Sequence, residues 1–282
     1  MLKKFFNVKV ALTLTIMCCT MWVSGMTVHA QNVNETESNN TVETAQLIQA
    51  NSETPAQALT GNRPNQYFVE GHISASDEDW FKVYLTSGTQ YVICNGNGFD
   101  FEVYNSDLQL VYEDSYLKSG NLGSSAFPFW ASSNGFYYVR ITGSSSQSYL
   151  LGVGGPTYSV EACKVNLRNV DMSGNRASTV AIDLRNRPEI PEGALVYAIR
   201  FSGIGATSVD SISVRNLTTA NTINLQNFTW SKDGLLSLEM PLESNWQATF
   251  GYYKNTSFTP TATFQFVYPV TSHYIDAINI TL

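Results

Sequence analysis

The chain has 282 residues, with 23 acids against 16 lysines and arginines and a formal charge of −7. That balance excludes nucleic acid and other polyanions as expected partners, because phosphate recognition needs clustered cations. Of its four cysteines, Cys18 and Cys19 lie near the N-terminus, and the other two, Cys94 and Cys163, cannot make a disulfide scaffold.

Residues 1–30 read as an export signal. Lys3, Lys4 and Lys9 give a positive start, an apolar run follows from Val10 to Val23, and Val28-His29-Ala30 places compact residues where a signal peptidase reads. Cleavage is expected after Ala30. The run is short for a membrane span, which takes about 20 residues. Cys18 and Cys19 lie inside it, and Met17 is not the small residue that precedes a lipidated cysteine. The processed chain would have 252 residues; it loses three lysines and no acids, so its charge falls from −7 to −10. No second run is long enough to cross a bilayer. Two cysteines remain, Cys94 and Cys163. Export permits a disulfide between them, and two small buried strand residues is an equally open reading.

Residues 31–65 are polar, with a short helix expected from Thr41 to Ala50 on the weak apolar face of Ala45, Leu47 and Ile48. Two acidic clusters stand about forty residues apart. The first is Glu35-Thr36-Glu37-Ser38-Asn39-Asn40-Thr41 and the second is Asp77-Glu78-Asp79-Trp80-Phe81. Side chains two apart in extended chain point the same way, so Glu35, Glu37 and Asn39 can project together, as can Asp77 and Asp79. If the fold joins the two sets, five oxygen-bearing side chains converge. Ca²⁺ takes about six to eight oxygen ligands, and carbonyls or water would supply the rest.

From Tyr67 the pattern is strands. Short aromatic and β-branched runs at Tyr67–Glu70, Trp80–Leu85, Gln90–Cys94, Phe101–Tyr104, Leu108–Tyr112, Phe136–Ile141 and Tyr149–Val153 are separated by Gly, Asn, Asp and Ser. No helical pattern intervenes, which predicts an antiparallel sandwich. Gly154-Gly155-Pro156 is a breaker. A second series then runs from Val165 to Leu282, with alternation in Thr222-Ile223-Asn224-Leu225. The expected organisation is a signal over 1–30 and two all-β antiparallel sandwiches in tandem, over 31–155 and 156–282. The two halves show no convincing internal repeat.

The first half resembles the bacterial pre-peptidase C-terminal domain, which is related to the collagen-binding domain of clostridial collagenases. Four segments carry the resemblance in order. They are the acidic opening at 35–41 with Ala45 beyond it, Gly71-His72-Ile73 with Asp77–Val83, Gly135–Ile141, and Tyr149–Val153. It covers residues 34 to about 155. It implies a jelly-roll-like sandwich appended to exported enzymes, and calcium where the N-terminal segment meets the sandwich. Carried over, it implicates Glu35, Glu37, Asn39, Asp77 and Asp79, with a backbone carbonyl at His72. Asn40 stands where some relatives have aspartate. Residues 160–282 resemble no family.

Nothing reads as a catalytic centre. The processed chain has two histidines, His72 and His273, and lacks a His-Glu-x-x-His pair, a Gly-x-Ser-x-Gly elbow and a phosphate-cradling glycine loop. Paired carboxylates are the enzyme alternative, drawn from Asp183, Glu189, Glu192, Asp210, Asp233, Glu239 and Glu243. Aromatics are the binding alternative: Trp230, Trp246, Tyr252 and Tyr253 in the second half, and Trp130 in the first. Tyr252 and Tyr253 are adjacent, so one of them is expected to face solvent. The expectation is a secreted, non-catalytic binding protein attaching to an extracellular polymer or surface protein. Its alternatives are a carboxylate-based hydrolase in the second half and an envelope-associated spacer.

Overall fold

The computed structural model describes residues 31–117, 124–173, 177–204, 209–225, 230–231, 234–252, 254–271 and 278–281. The expected signal over 1–30 lies outside them, as do His273 and Asp233. The chain is all-β, and its sheets stack as sandwiches.

The first series comprises β1 (Gln31–Asn34), β2 (Gln46–Ile48), α1 (Pro55–Thr60), β3 (Tyr67–Ile73), β4 (Glu78–Leu85), β5 (Gly88–Gly96), β6 (Phe99–Tyr104), β7 (Leu110–Tyr116), β8 (Ser125–Ala131), β9 (Gly135–Thr142) and β10 (Gln147–Gly154). One sheet runs β3-β10-β5-β8 and the other β4-β9-β6-β7. This is the strand order of a jelly roll. Period-2 alternation turns Val69, Val92, Leu151 and Val153 of one sheet onto Phe81, Val83, Phe101 and Val139 of the other. β1 and β2 are additions: each joins an edge in parallel, β1 on β3 and β2 on β4.

The helix expected over 41–50 does not form. Val42–Thr44 makes one 3₁₀ turn, and Gln46–Ile48 extends to pair with Phe81–Val83. Ile48 is buried in the core there, which outweighs the weak helical preference of so short a segment. The helix that does form begins at Pro55, where the Thr54 hydroxyl accepts from the Gln57 N–H, and ends at Gly61 with φ 70°.

The second series comprises β11 (Tyr158–Asn166), β12 (Val170–Asp171), β13 (Ala177–Asp183), β14 (Leu195–Ser202), β15 (Val209–Asn216), β16 (Thr222–Asn224), β17 (Trp230–Ser231), β18 (Asn245–Tyr252), β19 (Ser257–Phe258), β20 (Thr261–Pro269) and β21 (Ile278–Thr281). Its main sheets run β11-β20-β14-β17 and β13-β18-β15-β16, with β21 added in parallel beside β11. That is the same jelly-roll order again, although the sequence shows no repeat. Val196, Phe201, Phe264 and Phe266 pack against Ile182, Val214, Trp246 and Phe250.

The two series touch through a polar joint. The Asn51 amide donates to the Gly155 and Pro156 carbonyls at 2.6 and 3.1 Å. Glu53, whose side chain is fully buried, pairs with Arg63 at 3.0 Å and accepts from Gln66 and from the Tyr158 N–H. Cys94 and Cys163 are both free thiols, one in each core, so of the two open readings the buried strand residue holds and the disulfide does not. Each lies on an inward-facing strand position and packs as a small apolar residue.

Candidate metal centre

The alternation of β4 builds the site. Asp79 falls on the inward phase and is fully buried, while Glu78 and Trp80 face outward. The polar N-terminal segment is laid across it. β1 holds the backbone in register with β3, and the Glu35 N–H donates to the Glu70 carbonyl at 2.9 Å. Further along, the Asn39 carbonyl accepts from the Trp80 N–H at 2.8 Å. These bonds bring residues 35–39 over the end of β4.

Glu35, Glu37 and Asp79 each offer a carboxylate oxygen, all within 4.8 Å of one another. The Asn39 side chain is buried beside them and its Nδ2 donates to Glu35 Oε1 at 3.0 Å. Asp77 falls outside this group of three; its Oδ1 accepts from Asn40 Nδ2 at 2.9 Å and from the Glu78 N–H at 3.1 Å. His72 contributes its N–H, donated to Glu35 Oε2 at 2.9 Å. Its ring Nε2 lies 3.0 Å from Ser146 Oγ.

Tyr149 is the site residue that sequence reading missed. Its hydroxyl donates to Asp79 Oδ2 at 2.8 Å and lies 3.1 Å from Glu35 Oε1. Gly71, directly opposite in the β3–β10 register, makes room for the ring, since a Cβ there would come within 2.2–2.7 Å of it. The available signal was the pairing of an inward tyrosine with a glycine on the neighbouring strand. The Asp79 carboxyl is pushed up to about 8, because burial strips it of water and Glu35 and Asp77 add like charge; the Tyr149 hydroxyl opposes this. Burial also raises the Tyr149 hydroxyl, assisted by the two carboxylates it touches.

A cation's fit can be tested on two atoms. Asn39 Oδ1 and Asp79 Oδ1 are buried and without a hydrogen-bond partner among the described residues. Orphaned buried oxygens are costly. The donor set is oxygen only, three carboxylates and an amide carbonyl. This set suits a hard cation such as Ca²⁺ and not zinc, which favours nitrogen and sulfur.

Two of the aromatics expected to bind, Trp246 and Tyr252, are buried, while Trp130 is exposed. Trp246 is fully buried, its Nε1 donates to the Leu242 carbonyl at 3.1 Å, and it packs on Phe264. Tyr252 is also buried. Both are therefore core residues of β18, because the inward phase of that strand holds its large side chains. The side chain of Trp230 and all of Tyr253 lie outside the described residues.

The outward face of β4, β9 and β6 carries Trp80, Lys82, Tyr84, Phe136, Tyr138 and Tyr104 instead. Tyr84 and Phe136 meet edge to face at 5.5 Å and are 54% and 39% exposed. Lys82 Nζ lies 4.5 Å from the Phe136 ring centre and 5.4 Å from that of Tyr138. Trp80 stacks on Tyr104 at 5.4 Å. Arg140, paired with Glu78 and Glu102 at 2.6 and 2.9 Å, lies over Trp80. Trp130, 68% exposed, stands apart on β8. Among the second-half carboxylates, Asp183 pairs with Arg185, Glu243 caps the Asn186 N–H and Asp210 accepts from Ser211.

No family model matches the chain, and no curated protein matches it. Solved structures do. One is a candidate secreted protein from Eubacterium rectale, at 10% identity and TM-score 0.47 over 88% of this chain and 88% of that one. Another is the pre-peptidase C-terminal domain of a collagenase from Bacillus anthracis, at 14% identity and TM-score 0.27 over 39% of this chain and 93% of that domain. A third is the major capsid protein P2 of bacteriophage PM2, at 10% identity and TM-score 0.23 over 72% of this chain and 100% of that one.

Proposed function

We propose that the protein is an exported binding module of two domains, residues 31–155 and 156–282, whose first sandwich is braced by calcium. The observation that carries the calcium reading is the pair of buried, unpartnered oxygens, Asn39 Oδ1 and Asp79 Oδ1, beside the carboxylates of Glu35 and Glu37. Calcium held there by Glu35, Glu37, Asn39 and Asp79 would satisfy both atoms and offset the repulsion among the carboxylates. The resemblance of residues 34–155 to the pre-peptidase C-terminal domain supports the same assignment.

The attachment surface is the outward face of β4, β9 and β6. Exposed aromatics grouped on one sheet mark interaction sites, and this face holds five aromatics, of which Tyr84 and Phe136 are exposed and Trp80, Tyr104 and Tyr138 half-buried. Its target is an extracellular polymer, either a matrix protein or a cell-wall or other polysaccharide. The experiment is retention of purified protein on collagen, cellulose, chitin and peptidoglycan. Retention on one of these that falls at least tenfold in Tyr84→Ala/Phe136→Ala is the expected result, since losing two aromatic contacts of about 1 kcal/mol each gives that factor. Equal retention of wild type and variant would remove this face from the function.

A further inference from the structure

A sheet edge presents unpaired N–H and C=O groups, and proteins normally blunt such edges with short strands, charges, proline or bulges. Most edges here are blunted. β2, β12, β16, β17 and β19 have two or three residues, and β1 and β21 have four. Of the three long edges among the described residues, β8 carries Pro128 and its Ala126 N–H is taken by the Thr271 carbonyl at 2.6 Å. β7 carries Glu113 and Asp114 and lies beside a register shift at Val103–Tyr104.

β13 has none of these devices. Its seven residues, Ala-Ser-Thr-Val-Ala-Ile-Asp, contain no proline and no charge before the last position. It pairs with β18 over all seven residues without a shift. Among the described residues no strand pairs with its other side. Small and β-branched residues on a flat strand suit sheet pairing.

We propose that β13 pairs antiparallel with β13 of a second copy, joining two four-stranded sheets into one eight-stranded sheet across a two-fold axis at Val180. The register is self-complementary. Val180 meets Val180, Thr179 meets Ala181, Ser178 meets Ile182, and Asp183 meets Ala177. No like charges face each other, and Ser178, Val180 and Ile182 continue the inward phase from one copy to the other. A second copy satisfies this symmetry; an unrelated strand has no reason to. The contact is isologous and closes at two copies. The remaining long edges are guarded, so growth into a filament is blocked.

Sedimentation velocity of the purified protein from micromolar to millimolar concentration tests this. A concentration-dependent dimer is expected, abolished by Thr179→Lys/Ala181→Lys, which sets like charges opposite each other at two points, and retained in Asn224→Lys on the opposite edge of the same sheet. Hydrogen exchange on wild type guards against misfolding of the double variant: amides of Ala177–Asp183 that do not bond to β18 should gain protection as concentration rises. A monomer throughout, a dimer that survives the double substitution, or an edge with no gain in protection would overturn the proposal.

Discussion

At the residue scale, Tyr149 ties the acidic cluster together. Its hydroxyl is the donor that reaches both Asp79 and Glu35. Tyr149→Phe should cost about 1–3 kcal/mol in chelator, the usual penalty for leaving a buried acceptor unpaired, and less in calcium; chemical denaturation in the two conditions measures this. Gly71→Ala should cost a similar amount through overpacking, since its Cβ would overlap the Tyr149 ring. These roles were only partly legible in the sequence. The spacing of Glu35, Glu37 and Asn39 and the alternation of Asp77 and Asp79 marked the acidic residues. The phenol comes from a strand seventy residues beyond Asp79 and became visible only through the β3–β10 register. Asp77 has the right spacing but lies outside the group of three carboxylates, its Oδ1 accepting from Asn40 and from the start of β4.

At the element scale, the N-terminal segment carries two of the cluster's three carboxylates, Glu35 and Glu37. All four residues of β1 are exposed, so hydrophobic burial does little to hold it, and calcium at Glu35 and Glu37 would anchor its far end. Limited proteolysis should therefore cut within residues 31–44 faster in chelator than in calcium, and Asp79→Ala should be cut equally fast in both. The strands themselves were readable because their period-2 alternation and turn residues are local signals. The helix expected over 41–50 was not, because its residues gain more by pairing with β4 than by local hydrogen bonding. The aromatics were misplaced for a related reason. Trp80-Phe81-Lys82-Val83-Tyr84-Leu85 carries aromatics on both phases, and only the sheet shows that Phe81 points in while Trp80 and Tyr84 point out.

At the scale of the whole molecule, the two jelly rolls share strand order without shared sequence, because many apolar residues of suitable size satisfy the same alternation. Glu53 joins them. Burial raises its carboxyl above the ordinary value of 4.5, against the pull of Arg63, Tyr158 and Gln66. The folded state therefore holds this proton more tightly than the unfolded chain. Its contribution is greatest below pH 4.5 and falls as pH rises above it. Glu53→Gln should flatten that part of the stability profile, and Glu53→Ala should cost about 1–3 kcal/mol by leaving the Gln66 amide and the Tyr158 N–H without their acceptor; denaturation across pH measures both. The central claim is the calcium brace, and the most direct test is the melting temperature of the purified protein titrated with calcium from a chelated start. A saturable rise is expected, equivalent to about 2.7 kcal/mol at a hundredfold excess over Kd, and absent in Asp79→Ala. The same melting temperature in chelator and in millimolar calcium would contradict the account.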